Sequence, residues 1–265
     1  RRNFKPNLNS SMKPNILIVN DDGIQSPGIE ALAQAMKSIG SITIVAPDQE
    51  QSAKSHSITL NDPIRLKSVN IKSNLKGWSV KGTPVDCAKI ALKSLFIKKP
   101  DLLISGINLG SNLGKNLIYS GTISAAYEGA ILGIPSAAIS LDSFQAKEFT
   151  AAKQVSISIA TYLLKNKLPK GTMLNVNVPY IQENEIKGFL MTKQGRSSFI
   201  DTFERRVDPR GQSYFWIKGK IRNTDPSIEF DGEAVTNGYV SITPIDFDLT
   251  NNRLINKLKK ELIYD

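Results

Sequence analysis

Two aspartates stand side by side at Asp21 and Asp22, directly after the apolar run Ile16-Leu17-Ile18-Val19. Adjacent carboxylates repel and raise each other's pKa, a conflict that a bound cation removes. Ser52 and Asn108 also follow strand-like runs, Ile42 to Ala46 and Leu102 to Ile104. Together the four residues form an oxygen shell suited to a hard divalent ion such as Mg²⁺ or Mn²⁺. Alone, Asp21-Asp22-Gly23 reads as a solvated turn. Four oxygen donors converging on one sheet edge favour the cation.

A second element is Ser120-Gly121-Thr122 at an expected helix start. Backbone N–H groups at a helix N-terminus, with the dipole behind them, bind phosphate. Gly121 would let the backbone approach, and the Ser120 and Thr122 hydroxyls would donate. An isolated triplet of this kind is also an ordinary N-cap. The amides of Asn108 and Asn112 are placed to neutralise charge developing on a phosphoryl group. The combination implies metal-assisted attack on a phosphate ester, with Asp21, Asp22 and Asn108 as the catalytic candidates. Whether water or Asp21 attacks stays open. The glycines at 106, 110, 114 and 121 do not make a P-loop, because Gly114-Lys115 is followed by Asn116.

Other reactive side chains carry less. His56 is the single histidine, which excludes multi-histidine zinc sites, and a lone loop histidine reads first as a surface or hydrogen-bonding residue. Cys87 is the single cysteine, so no disulfide forms within the chain, and it reads as a small core residue. Tyr119, beside the phosphate element, suits either stacking on a base or apolar packing.

These residues need a scaffold. Short buried strands alternate with helices from Asn15 to about Val178, which predicts an open, doubly wound sheet. Ser26 is placed to cap a helix opening at Pro27 and closing at Gly40, and Thr83-Pro84-Val85-Asp86 opens another that runs to about Lys98. Ser120 starts a helix closing at Gly133. Ser136 to Leu141 is a strand, and the helix after it sets Val155, Ile159, Tyr162 and Leu163 on one face. Ligands of such sheets bind beyond the carboxyl ends of the strands, where the candidate residues lie. The expected fold class is α/β, three-layer and Rossmann-like, with a mostly parallel sheet and a C-terminal β-rich arm. The core spans 14–180. The arm, a hairpin for oligomerisation, spans 181–250, with strand-like runs at Tyr214 to Ile217 and Tyr239 to Thr243. A helix with Leu254, Ile255, Leu258 and Leu262 on one side spans 251–265, and 1–13 reads as a flexible extension or tag remnant.

The 265 residues carry a formal net charge of +10. Lysines outnumber arginines and are scattered rather than gathered in one stripe with aromatics, so nucleic acid is not the expected partner. A basic surface also suits small anionic substrates. No apolar run reaches the roughly 18 residues that span a bilayer, and the opening segment lacks the apolar stretch of a signal peptide. A reducing, cytoplasmic setting is expected.

The motifs together resemble one family. Asn20-Asp21-Asp22-Gly23, Ser26-Pro27-Gly28-Ile29, Val45-Ala46-Pro47-Asp48 and Gly82-Thr83-Pro84-Val85-Asp86-Cys87 come in the order and spacing of SurE proteins. Ser105-Gly106-Ile107-Asn108, Tyr119-Ser120-Gly121-Thr122, Asp208-Pro209-Arg210-Gly211 and Gly238-Tyr239-Val240-Ser241-Ile242-Thr243-Pro244 continue it. The resemblance covers about Pro14 to Thr250. It implies a Rossmann-like core and a metal held by Asp21, Asp22, Ser52 and Asn108. It also implies phosphatase activity on 5′- and 3′-nucleoside monophosphates, extending to short polyphosphate in some relatives. Homodimers or homotetramers built by exchanging C-terminal arms are implied as well. A non-catalytic nucleotide- or RNA-binding protein is the alternative. Two departures stand out: Ala53 and Lys54 where the family usually has glycine after the ligand serine, and no acidic residue in Gly114-Lys115-Asn116-Leu117.

Overall fold

The computed structural model describes residues 13–96 and 98–262. The expected extension, apart from Lys13, and the last three residues of the expected terminal helix lie outside the described residues. The first half of the chain runs β1 (Asn15–Val19), α1 (Pro27–Lys37), β2 (Ser41–Pro47), β3 (Arg65–Ile71), β4 (Leu75–Lys81), α2 (Pro84–Ile90) and β5 (Leu102–Leu109). It continues with α3 (Gly121–Ile131), β6 (Ser136–Leu141), α4 (Thr150–Lys165), β7 (Thr172–Val178) and β8 (Phe189–Met191). Last come β9 (Ser198–Val207), β10 (Ser213–Arg222), α5 (Asp231–Thr236), β11 (Val240–Asp246) and α6 (Asn252–Glu261).

The main sheet has the order β3-β4-β2-β1-β5-β6-β7-β11-β8. From β4 through β7 all pairings are parallel, while β3 and β11 run antiparallel to β4 and β7. Strand periodicity divides the core in two. Ile16 and Ile18 of β1 enter one cluster with Ile29, Leu32 and Met36 of α1 and Val155, Ile159 and Leu163 of α4. Leu17 and Val19 enter the other with Cys87 and Ala88 of α2 and Ile123 and Ala126 of α3. Each such fully buried aliphatic contributes about 1.5–3 kcal/mol relative to exposure. The expected α/β three-layer class is the observed one.

Local chemistry explains the helix starts. Ser26 accepts from Ile29 N–H, with Pro27 at the first position, and Thr83 with Asp86 forms a capping box. Four expectations change. The helix from Pro84 does not reach Lys98: it ends at Ile90, and a wider turn covers Ala91–Leu95. The first helix ends at Lys37, before Gly40, where Ser38 bonds back to Ala35. Asn108 lies within β5 rather than past it, because the strand shifts register between Gly106 and Asn108 and continues. Tyr162 is half exposed instead of joining the face of Val155.

The C-terminal third divides between two structures. β11 inserts between β7 and β8 in the main sheet, so it belongs to the core rather than to a free arm. β9 and β10 form a separate hairpin paired from Ser198↔Arg222 to Val207↔Ser213, with Phe203, Tyr214, Phe215, Trp216 and Ile217 exposed. Helix α6 has no buried residue. Among the described residues, no helix is long and apolar enough to cross a membrane.

Candidate active site

Strand β1 is flanked by β2, reached directly through α1, on one side and by β5, reached from β4 through α2, on the other, so the strand order reverses at β1. The crevice beyond the carboxyl ends at such a point is where an open α/β sheet receives ligands. Asn20, Asp21 and Asp22 lie there, at the end of β1, with Asn108 and Leu109 on the neighbouring strand. A cleft of about 610 Å³ opens beside them, lined by Asp22, Gln25, Ser26, Glu50, Ser52 and Phe144 among others. That is within the roughly 300–1,000 Å³ of small-molecule sites.

Asp21 is buried, and its Oδ1 accepts the Thr122 hydroxyl. Asp22 accepts from Leu109 N–H at 3.3 Å, which ties it to β5. Burial raises both carboxyls above their ordinary range. For Asp21 the Thr122 hydroxyl opposes this. For Asp22 the charge of Asp21 adds to burial, and its pKa is pushed up to about 7. Negative charge on both carboxylates at once is therefore disfavoured unless a positive charge joins them.

Asn108 donates from its amide nitrogen to the Gly110 carbonyl at 2.6 Å, which leaves the amide oxygen as the group to offer a cation. Ser52 is exposed on the 48–64 loop and shares the cleft wall with Asp22, its hydroxyl donating to Glu50 at 2.6 Å. That loop is tied to β1 where Gln51 N–H donates to the Asp21 carbonyl at 2.8 Å.

Ser120, Gly121 and Thr122 do start a helix, but their surroundings differ from those expected of a free anion site. Ser120 caps Ile123 N–H at 3.2 Å, and the Thr122 hydroxyl is engaged by Asp21. A Cβ on Gly121 would stand 2.8 Å from Asp21 Cβ, so glycine is what lets the helix start approach this carboxylate. All three residues are buried and none lines the cleft. The anion facing this helix start is the protein's own Asp21. Asn112 is likewise buried: its amide nitrogen donates to Ser140 at 2.8 Å, and its backbone carbonyl accepts from Asn175 at 2.8 Å.

Among the described residues, no group of three or more His, Cys, Asp or Glu side chains forms a metal cage. The donors that are present, two carboxylates with a serine hydroxyl and an asparagine carbonyl, match the all-oxygen preference of Mg²⁺ or Mn²⁺. A cation held between the two carboxylates would relieve the repulsion by which Asp21 raises Asp22. Sequence reading did not single out Glu50 and Phe144. Glu50 raises both aspartates electrostatically, and its position two residues before Ser52 was the available signal. Phe144 is 71% exposed on the cleft wall, and nothing in its local pattern marks it. Cys87 is fully buried, as expected of a core residue, and Tyr119 is exposed.

Comparison with known proteins bears on this arrangement. A family model described as survival protein SurE matches residues 16–201. The protein named 5′-nucleotidase SurE from Chlorobaculum tepidum is 43% identical over 247 residues, 93% of this chain and 94% of that protein. A protein of the same name from Carboxydothermus hydrogenoformans is 45% identical over 249 residues, 92% of this chain and 94% of that one. The crystal structure of a SurE protein from Aquifex aeolicus matches with a TM-score of 0.80 at 41% identity, covering 94% of this chain and 100% of that chain.

Proposed function

Because this chain belongs to the SurE family, we propose that it is a nucleotidase, hydrolysing nucleoside monophosphates at the 5′ or 3′ position to nucleoside and phosphate with a divalent cation. The observation that carries the reading is the adjacent carboxylates of buried Asp21 and half-buried Asp22, the latter on the cleft wall with its pKa raised by burial and by the charge of Asp21. Asp21, Asp22, Ser52 and Asn108 hold the cation, Mg²⁺ or Mn²⁺. When bound, it supplies Lewis-acid polarisation of the phosphoryl oxygen and eases deprotonation of a water.

The chain's own groups do the rest. Thr122 and the start of α3 orient Asp21, which makes their part in phosphate binding indirect. Leu109 N–H orients Asp22. Phe144 offers an aromatic face for the base at the mouth of the cleft. Short polyphosphate is a further substrate in this reading, the hairpin β9–β10 joins copies into dimers or tetramers, and the setting is cytoplasmic.

Phosphate release from AMP, measured with Mg²⁺, with Mn²⁺ and with EDTA, tests the proposal. Turnover is expected only with added cation. Equal release in EDTA removes the metal from the reading. No release under any cation leaves the rival, a non-catalytic nucleotide- or RNA-binding protein using its basic surface.

A further inference from the structure

Glu128 takes no part in the chemistry above, yet it is a carboxylate only 5% exposed, on α3 facing α2. Lys89 Nζ of α2 lies 2.8 Å from one of its oxygens, and His56 Nε2 of the 48–64 loop lies 2.8 Å from the other. A buried carboxylate needs a charged partner to avoid a penalty of several kcal/mol. Lys89 meets that need from a neighbouring helix. His56 adds a bond between the loop and the buried layer of helices.

The same loop carries Ser52, and its backbone is strained. Ala53 and Ser55 sit in the left-handed region, with φ of 57° and 54°. For residues other than glycine this region is sterically strained, and such conformations persist only where their surroundings hold them. Several bonds gather at the end of the strained stretch and just after it. Ser55 donates from N–H to the Tyr119 carbonyl at 3.0 Å and from its hydroxyl to the Ile118 carbonyl at 2.8 Å. The Thr83 hydroxyl donates to the Ser57 carbonyl at 2.8 Å, and Thr59 donates to Asp86 through N–H at 3.0 Å and hydroxyl at 2.6 Å. Within this set, His56–Glu128 is the link that reaches a buried charge on α3, the helix whose first turn holds Asp21. One element therefore positions both Asp21 and, through His56, the segment bearing Ser52.

We propose that His56 is a positioning residue, latching the 48–64 loop to Glu128 so that Ser52 is held beside Asp21 and Asp22. The inference rests on the proposed cation site only through Ser52, and it predicts a change in loop order that needs no metal. Lys54 supplies the probe, because trypsin cuts after lysine and this bond lies inside the strained stretch.

The experiment compares the full-length wild type with His56→Ala and His56→Gln. It reads cleavage after Lys54 in EDTA, Mn²⁺ affinity by electron paramagnetic resonance, and thermal midpoint. His56→Ala is expected to be cut after Lys54 about fivefold faster and to bind Mn²⁺ about tenfold more weakly, the loss of one bond to a charged group. Its midpoint should stay within about 3 °C, since Lys89 still pairs with Glu128. His56→Gln, whose amide N–H can reach the same carboxylate, should recover both readouts.

Unchanged cleavage in His56→Ala overturns the latch. Faster cleavage at every tryptic site with a matching fall in midpoint also overturns it, making His56 a general stabiliser. Faster cleavage after Lys54 with unaltered Mn²⁺ affinity overturns the link to Ser52. A wild type that binds no Mn²⁺ overturns the metal reading alone, and cleavage after Lys54 in EDTA then decides the latch. A wild type that binds Mn²⁺ yet releases no phosphate from AMP overturns only the nucleotidase reading.

Discussion

At the scale of single residues, Asp22 and Thr122 separate charge from geometry. Asp22→Asn keeps the volume and removes a charge that burial and Asp21 already oppose. The fold should therefore survive with an unchanged or higher thermal midpoint, while AMP turnover at limiting Mn²⁺ falls by about a hundredfold or more. Wild-type turnover in that protein would rule out the site. The Ser120-Gly121-Thr122 helix start, read from sequence as a phosphate site, makes Thr122→Val a change in phosphate binding first. With its hydroxyl on Asp21, the expectation moves to the cation: half-saturating Mn²⁺ should rise about tenfold, while the phosphate inhibition constant stays close to wild type. A larger change in phosphate inhibition than in Mn²⁺ dependence would restore the direct role. Ala53 is the third case. Its positive φ is what the family's usual glycine suits, so Ala53→Gly should raise stability to denaturant by up to about 1 kcal/mol. A loss of stability would show that the side chain packs more usefully than the strain suggests.

At the scale of elements, Glu128 joins α2, α3 and the Ser52 loop and gives the fold a pH-dependent term. Burial raises its pKa, but the hydrogen bonds and charges of His56 and Lys89 outweigh it, and the net displacement is below the ordinary 4.5. A lowered folded-state pKa means that the unfolded chain takes up the proton first. The stabilising contribution is then complete above about pH 4.5 and is lost as pH falls through the lower folded value. Glu128→Gln should therefore be less stable than wild type near neutrality. Its thermal midpoint should fall less steeply below about pH 4.5, so that the two curves converge. Parallel curves through the acid range would remove Glu128 from the acid-sensitive set.

At the scale of the whole molecule, the hairpin and the sheet must be told apart. An excision of about Thr202 to Ile245 looks reasonable from sequence, but it would remove β11 from between β7 and β8 and open the core. The excision that tests assembly removes 199–221 and joins Ser198 to Arg222, which already face each other across the ladder, with a short glycine link. The hairpin's exposed aromatic and apolar residues are what a partner copy would cover. The shortened protein is expected to remain folded and to sediment as a smaller assembly than wild type. An intact protein that already sediments as a monomer at micromolar concentration sinks the arm-exchange reading.

Local signals were enough for the helix starts at Pro27, Pro84 and Gly121 and for the buried strands β1, β5 and β6, because caps and short apolar runs act within a few residues. They also brought Asp21, Asp22, Ser52 and Asn108 to one edge of the sheet, since parallel strands set their carboxyl ends together. Partnership was beyond their reach. That Thr122 and Gly121 serve Asp21, that Glu128 draws in His56 from 72 positions away, and that β11 pairs with β7 are matters of burial and pairing between distant segments. The same Ser-Gly-Thr start suits a phosphate or a carboxylate equally well. Only the packing of α3 against the end of β1 decided which anion it faces, because a buried charge takes the donors nearest to it.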